Sequence, residues 1–141
     1  MGAVVAKEKF ASAFEHGNHG TTFGGNPLAC AVALETLAVI EDENVCEMAR
    51  VRGNYLMTRM SDLSTNWSAI KDVRGKGLMI GVELSFPGAP VVQEMMKRGV
   101  LANCASGNVM RLVPPLIISK EEIDIIVDVL VESVKEAEKY A

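Results

Sequence analysis

The first quarter of the chain combines a short apolar run with a loop rich in glycine. Residues 2–6 are apolar and predict one buried strand, and residues 7–14 follow it with a single helical repeat. Residues 16–26 contain four glycines, two histidines and two adjacent threonines, a composition typical of a loop.

Two helical stretches come next. Asn26 and Pro27 predict a helix start, because asparagine is a favoured N-cap and proline is tolerated at the first helical position. Residues 28–40 are apolar nearly all round, so we expect this helix to be deeply packed. Residues 43–63 repeat apolar positions at helical spacing and predict a second helix that continues or bends from the first.

The second half of the chain predicts two pairs of strands. Residues 70–74 and 78–84 are joined by Gly-Lys-Gly, which suits a tight reversal, and the second of these strands is apolar enough to be central. Residues 100–104 and 109–113 bracket Ser-Gly-Asn, a composition typical of a hairpin turn.

A short helix between the two pairs starts at Pro90 and ends before Gly99. A last helix opens with a capping box at residues 119–122 and carries apolar residues along one face. The order of elements predicts a mostly antiparallel sheet covered by helices, which is an α/β or α+β sandwich.

Composition and charge exclude several classes of protein. The net charge of −4 and the pI near 5.2 argue against a nucleic-acid partner, since phosphate binding needs clustered Lys and Arg. No apolar run reaches the roughly 18 residues that a membrane span needs. The three cysteines show no spacing typical of metal sites or disulfide frameworks, so we expect no metal and a reducing, cytoplasmic location.

The first candidate site is the segment 19–27. Its glycines allow close backbone approach, Thr21 and Thr22 offer hydroxyl groups, and a helix N-terminus follows. Together these features suit a phosphate group. An ordinary loop in front of a well-capped helix is the alternative.

The second candidate site is Arg111. Strand alternation places Arg111 on the side of Val109 and Val113, opposite Met110 and Leu112. A guanidinium with apolar neighbours needs a carboxylate or phosphate partner, and its planar fork suits bidentate capture of a carboxylate. A salt bridge within the same domain is the alternative.

The remaining polar residues are weaker candidates. Arg74 and Lys76 are interpreted as solvated turn residues rather than ligands. His16 and His19 have no nearby serine, cysteine or acidic partner that would form a nucleophilic arrangement, so we interpret both as polar loop residues.

Three blocks of sequence, residues 19–29, 73–84 and 108–118, together resemble the class III aminotransferases. They occur in the order of that family and at suitable intervals, so the resemblance extends over essentially the whole chain. The resemblance implies a homodimeric fold-type I enzyme that uses pyridoxal 5'-phosphate. It further implies that residues 1–27 are a remnant of the large cofactor-binding domain and that residues 28–141 are the small C-terminal domain.

The resemblance also assigns roles to residues. Thr22 matches the threonine that reaches the cofactor phosphate of the neighbouring subunit, and Thr21 adjoins it. Arg111 matches the arginine that receives a substrate carboxylate. The residues that match the supporting loop and cap are Gly24, Gly25 and Asn26.

The blocks are most similar to those of family members that act on N-acetylornithine. They imply transfer of its amino group, or that of a related ω-amino substrate, to 2-oxoglutarate in arginine biosynthesis. The family's cofactor-binding lysine falls before Gly2 and has no counterpart here, so we expect no catalytic residue in this chain and no activity from it alone. The alternative is a free-standing, non-catalytic binding or interaction domain.

Overall fold

In the computed structural model, which describes residues 2–139, backbone contacts separate the chain into two units, Met1–Glu43 and Asn44–Ala141. We call them the N-terminal unit and the C-terminal unit. The resemblance to the family implies another division, into residues 1–27 and 28–141. That division refers to the two domains of the family and stays a prediction.

The N-terminal unit begins without the strand that its sequence predicts. Residues 2–7 are irregular, and the side chains of Val4 and Val5 are 83% and 97% exposed. A buried strand needs neighbouring strands to satisfy its N–H and C=O groups, and residues 2–43 form none. The prediction of a buried strand was therefore wrong. The helical repeat that follows forms only α1, Glu8–Ala11.

The main element of this unit is α2, Pro27–Asp42. Its predicted start is confirmed, because Asn26 is the N-cap and Pro27 is the first helical residue. The prediction of deep packing was wrong, since α2 has no buried residue and Leu28 is 75% exposed. Apolar residues all round a helix become buried only where other apolar surfaces surround them, and no residue of α2 is enclosed to that extent.

The C-terminal unit contains a four-stranded antiparallel sheet in the order β1-β2-β4-β3. The predicted antiparallel sheet with helices is thus confirmed, as is the internal position of the second strand. The elements are α3 (Val45–Asn66), β1 (Ile70–Lys76), β2 (Met79–Leu84), α4 (Ala89–Lys97), β3 (Asn103–Ala105), β4 (Val109–Leu112) and α5 (Lys120–Glu138).

Helix α3 starts anew rather than continuing α2. Its N-cap, Asn44, lies in the left-handed region with φ of 52° and ψ of 40°, and this conformation interrupts helical geometry. Gly53 of α3 packs directly on the β1–β2 turn, where an added Cβ would lie 2.1 Å from the carbonyl oxygen of Gly77. Gly77 itself has φ of +54° and opens the two-residue loop of that hairpin.

The core lies on one face of the sheet. Helices α3 and α4 contact the strands, and α5 packs against both helices. The largest fully buried side chains come from the helices and the two central strands: Leu56, Met60, Ile80, Val82, Leu84, Val91, Met95, Met110, Ile123, Val127, Leu130 and Val134. Alternate residues on β2 and β4 point to the opposite face, which we call the open face.

Candidate functional site

The glycine-rich loop before α2 forms a turn over residues 22–25. The N–H of Gly24 donates to the carbonyl oxygen of Thr21 at 3.4 Å, and Gly25 has φ of +69°. A Cβ on Gly24 would lie 2.8 Å from Thr21 Oγ1. Glycine at position 24 therefore leaves the Thr21 hydroxyl uncovered, and glycine at position 25 allows a backbone conformation that other residues rarely adopt.

Asn26 connects this loop to α2. Its Oδ1 accepts the N–H of Ala29 at 3.0 Å, and its Nδ2 donates to the carbonyl oxygen of Phe23 at 2.7 Å. A helix usually leaves four N–H groups without a partner at its start. Two of these four are not available in α2, because the N–H of Ala29 donates to Asn26 and Pro27 has no N–H. An anion bound here would depend more on the side chains of the loop than on the helix end.

The two threonines of the loop supply such side chains. Thr21 and Thr22 are both exposed, and neither hydroxyl has a hydrogen-bond partner among residues 2–139. A free hydroxyl can donate one hydrogen bond to a phosphate oxygen. The loop therefore brings the predicted phosphate-contact residues, Thr21 and Thr22, together. Both hydroxyl groups are free to donate a hydrogen bond to a ligand.

Arg111 lies on the open face of the sheet, in a row that takes one residue from each strand. Arg111 of β4 pairs with Gly81 of β2 on one side and with Asn103 of β3 on the other, and Gly81 pairs with Arg74 of β1. Directly paired residues in an antiparallel sheet share a face. The row therefore reads Arg74, Gly81, Arg111, Asn103 across the open face.

The predicted alternation along β4 is confirmed. Met110 and Leu112 are buried in the core, at 0% and 5% exposure, whereas Arg111 is exposed. The side chain of Arg111 is therefore on the open face, where it is accessible to a ligand.

The two arginines of the row differ in their partners. Arg74 Nη1 lies 2.6 Å from Asp72 Oδ2 and 2.8 Å from Glu83 Oε2, and the hydrogen bonds to Asp72 and then Glu83 raise the pKa of Arg74 above its ordinary value. Arg111 has no ion pair or hydrogen bond from its side chain to any of residues 2–139. The salt bridge considered as the alternative for Arg111 is therefore not formed with any of residues 2–139. The interpretation of Arg74 and Lys76 as solvated turn residues was wrong, because both belong to β1 and Arg74 forms two ion pairs there.

Arg111 also lines a groove of about 780 Å³ in the C-terminal unit. Asn103 and Glu122 are the other side chains in its lining that form hydrogen bonds readily, and most of the rest is apolar, including Val113 and Ile117. Glu122 Oε2 accepts the N–H of Ser119 at 2.8 Å as part of the confirmed capping box. The groove can therefore take an anionic group at Arg111, with apolar walls beside it.

Sequence reasoning gave Asn103 no role. The signal that could have found it is the length of the hairpin loop, because a turn over residues 106–108 fixes Asn103 opposite Arg111. The histidines considered above, His16 and His19, are exposed. Among the described residues, no three His, Cys, Asp or Glu side chains group closely enough to hold a metal ion.

Comparison with known proteins identifies the family. The sequence profile of the class-III aminotransferases matches residues 1–134. The chain belongs to this family. The class-III aminotransferases imply pyridoxal phosphate as cofactor, and the open turn of Thr21, Thr22 and Gly24 fits its phosphate group, because no Cβ at position 24 covers the Thr21 hydroxyl.

Relatives within the class-III aminotransferases carry specific names. The acetylornithine aminotransferase of Methanocaldococcus jannaschii is 47% identical over 139 residues, which are 99% of this chain and 35% of that protein. The acetylornithine aminotransferase of Methanothermobacter thermautotrophicus is 50% identical over 130 residues, 92% of this chain and 33% of that protein. The chain thus spans about a third of the length of these relatives.

A solved structure supports the same family. The ornithine δ-aminotransferase of Plasmodium falciparum superposes with a TM-score of 0.84 at 30% identity, covering 93% of this chain and 34% of that chain. No helix within residues 2–139 combines the length and apolar character that crossing a membrane requires.

Proposed function

We propose that this chain is the C-terminal part of a pyridoxal-phosphate-dependent aminotransferase. The enzyme transfers an amino group from N-acetylornithine, or a related ω-amino substrate, to 2-oxoglutarate in arginine biosynthesis. The observation that carries the proposal is Arg111, an exposed guanidinium on the open face without an ion-pair partner among residues 2–139. Both proposed substrates carry a carboxylate that such a group binds. The names of the relatives support the choice of amino donor.

The loop before α2 is assigned to the cofactor phosphate. Thr22 donates its hydroxyl to a phosphate oxygen and Thr21 adds a second donor, while Gly24, Gly25 and Asn26 hold the turn open and in place. Pyridoxal phosphate supplies an electron sink for the amino-group chemistry when it is bound. The threonines fix the position of the cofactor and take no part in moving protons.

Arg111 is assigned to the substrate. Two parallel N–H donors of a guanidinium match the two oxygens of a carboxylate, so binding also fixes the orientation of the substrate. Arg74 is less suited to this role, since its charge is already paired with two carboxylates, Asp72 and Glu83, each within 2.8 Å of Nη1. The binding energy at Arg111 orients the reacting end of the substrate, which is the contribution we assign to this residue.

The proposal extends to assembly and location. We expect a cytoplasmic homodimer in which Thr22 contacts the cofactor of the neighbouring subunit. The 141 residues alone are expected to be inactive, because none of their lysines matches the family's cofactor-attaching lysine. Amino acids and 2-oxo acids are the expected partners.

Two substitutions in the complete protein test these roles separately. Thr22→Ala removes one charge-assisted hydrogen bond and should weaken cofactor retention about tenfold, with KM for the oxo acid unchanged once cofactor is saturating. Arg111→Ala should raise KM for a carboxylate substrate between about 10-fold and 100-fold without loosening the cofactor. Equilibrium dialysis of the cofactor and steady-state kinetics with both substrates measure the two effects.

Matched controls come from α3. Thr58→Ala and Arg50→Ala alter the same residue types at exposed positions, where Arg50 pairs with Glu47. Neither should change cofactor retention or KM. If Arg111→Ala left KM for the amino donor and the oxo acid unchanged, the assignment of Arg111 would be wrong.

A further inference from the structure

Asn103 occupies the position directly opposite Arg111 on the neighbouring strand. We propose that Asn103 is a second ligand of the carboxylate that Arg111 binds, so that the two side chains form one subsite. This inference rests on the proposed function, because it takes the ligand of Arg111 to be a substrate carboxylate. It adds a substrate-binding residue that lies outside the three sequence blocks.

The register of the hairpin brings the two side chains together. Ala105 pairs with Val109, Cys104 with Met110 and Asn103 with Arg111, so Asn103 and Arg111 share the open face. Directly opposed residues in antiparallel strands have Cβ atoms about 5 Å apart. The two side chains also line the same groove. A single small anion can therefore contact both.

The side-chain amide of Asn103 is free to bind a ligand. Asn103 is exposed, and its side chain forms no hydrogen bond with any of residues 2–139. Other asparagines near the sheet are used structurally, as Asn108 Nδ2 donates to the carbonyl oxygen of Leu84 at 2.9 Å. Asn103 is thus available to a ligand, and its position on the three-residue strand β3 is held by the backbone pairing with β4 and by the packing of Ala102 and Cys104 against the core.

The neighbours of the pair leave room for an anion and do not compete with it. On the other flank of Arg111 stands Gly81, which has no side chain to fill the open face. Glu83 lies two residues beyond Gly81 on β2 and is bonded to Arg74, and Glu122 is bonded to the N–H of Ser119. Both acidic residues, Glu83 on the neighbouring strand and Glu122 in the groove lining, therefore already have a hydrogen-bond partner.

The chemistry of the pair is complementary. A guanidinium in bidentate contact uses one lone pair on each carboxylate oxygen and leaves further acceptor sites on both. The Nδ2 group of Asn103 can donate to one of these sites from the side. A third donor at the side of the carboxylate adds a further restraint on its plane to the two parallel hydrogen bonds from Arg111.

The test uses glutarate, a dicarboxylate that has neither an amino nor an oxo group and cannot react. In the complete protein, Asn103→Asp keeps the shape of the side chain but places a negative charge beside Arg111. We expect it to raise both the Kd for glutarate and the KM for the oxo-acid substrate by at least about tenfold, with kcat unchanged. Asn103→Ala should raise both constants by a smaller factor, about threefold to tenfold.

Asn54→Asp is the matched control, because Asn54 is an exposed asparagine on α3. It makes the same chemical change away from the sheet and should leave both constants unchanged. Arg111→Ala is measured beside it. Calorimetric titration with glutarate gives Kd, and thermal melting of each variant separates a loss of binding from a loss of folding.

The outcomes distinguish this inference from the proposed function. If Arg111→Ala weakens glutarate binding and the Asn103 variants do not, Asn103 is not a ligand and the role of Arg111 stands. If Arg111→Ala also has no effect, the carboxylate site itself is refuted. A fall in kcat with KM and Kd unchanged would also contradict the inference, since a carboxylate ligand must act on binding.

Discussion

Helices α2 and α5 are capped by similar chemistry but differ in burial. Asn26 accepts an N–H at the start of α2, and Ser119 does so at the start of α5. Helix α2 has 16 residues, none of them buried, whereas α5 has 19 residues and buries six. The difference teaches that local sequence sets where a helix starts, while burial depends on the surfaces that surround it.

The same contrast holds for the two units. The buried hydrophobic side chains all lie in the C-terminal unit, from Val45 to Ala137, and none lies within residues 2–43. Since apolar burial is the main favourable term in folding, we expect the stability of the chain to reside in the C-terminal unit. Equivalent substitutions in the two units should therefore have unequal effects.

The largest expected difference comes from truncating one leucine in each unit. Leu130 is 1% exposed and Leu34 is 69% exposed. Leu130→Ala should lower the free energy of unfolding by about 2–5 kcal/mol, because it removes buried contacts and leaves a cavity. Leu34→Ala should change it by less than about 0.5 kcal/mol. Urea unfolding followed by the fluorescence of Trp67, the single tryptophan, measures both. Equal effects would show that α2 contributes to the same core.

A smaller difference is expected from adding one methyl group to a glycine in each unit. A Cβ on Gly53 would lie 2.1 Å from the carbonyl oxygen of Gly77, whereas a Cβ on Gly20 would meet nothing within 4 Å. Gly53→Ala should destabilise the C-terminal unit by about 1–3 kcal/mol in spite of the better helix propensity of alanine. Gly20→Ala should be neutral or slightly stabilising. Thermal melting of the two variants checks this, and a neutral Gly53→Ala would mean that α3 can move away from the hairpin at little cost.

The smallest effect is expected from removing one helix cap in each unit. Ser119→Ala and Asn26→Ala each remove a cap that contributes about 1 kcal/mol. For Ser119 the loss should appear in the unfolding of the whole C-terminal unit. For Asn26 it should appear only as faster amide hydrogen exchange in α2, because no residue of α2 is buried. A shift of the Trp67 transition by Asn26→Ala would contradict this separation.

Much of the C-terminal unit could be predicted from the sequence. The capping box at Ser119 and the alternation along β4 are local signals, and both are confirmed. The reversal predicted over residues 75–77 is confirmed only at Gly77, because Gly75 and Lys76 belong to β1. The helix start at Asn26 belongs to the same class. These features depend on residues within a few positions of one another, so the sequence alone carries enough information.

The features that the sequence did not predict depend on residues that are far apart along the chain. The strand expected at residues 2–6 and the deep packing expected for α2 both require surfaces that residues 2–43 do not supply. The engagement of Arg74 requires Glu83 across a strand pair. The position of Asn103 opposite Arg111, on which its proposed role rests, requires the pairing of β3 with β4.

The loop between β3 and β4 has a consequence for recognition. Ser106 and Gly107 both adopt positive φ, 51° and 83°, and this conformation fixes how the two strands align. A slip of one residue would turn β3 over, which would exchange the amide of Asn103 for the thiol of Cys104 beside Arg111. A change in loop length alone would thus replace the amide of the proposed carboxylate subsite with a thiol, although Asn103 and Arg111 would both remain in the sequence.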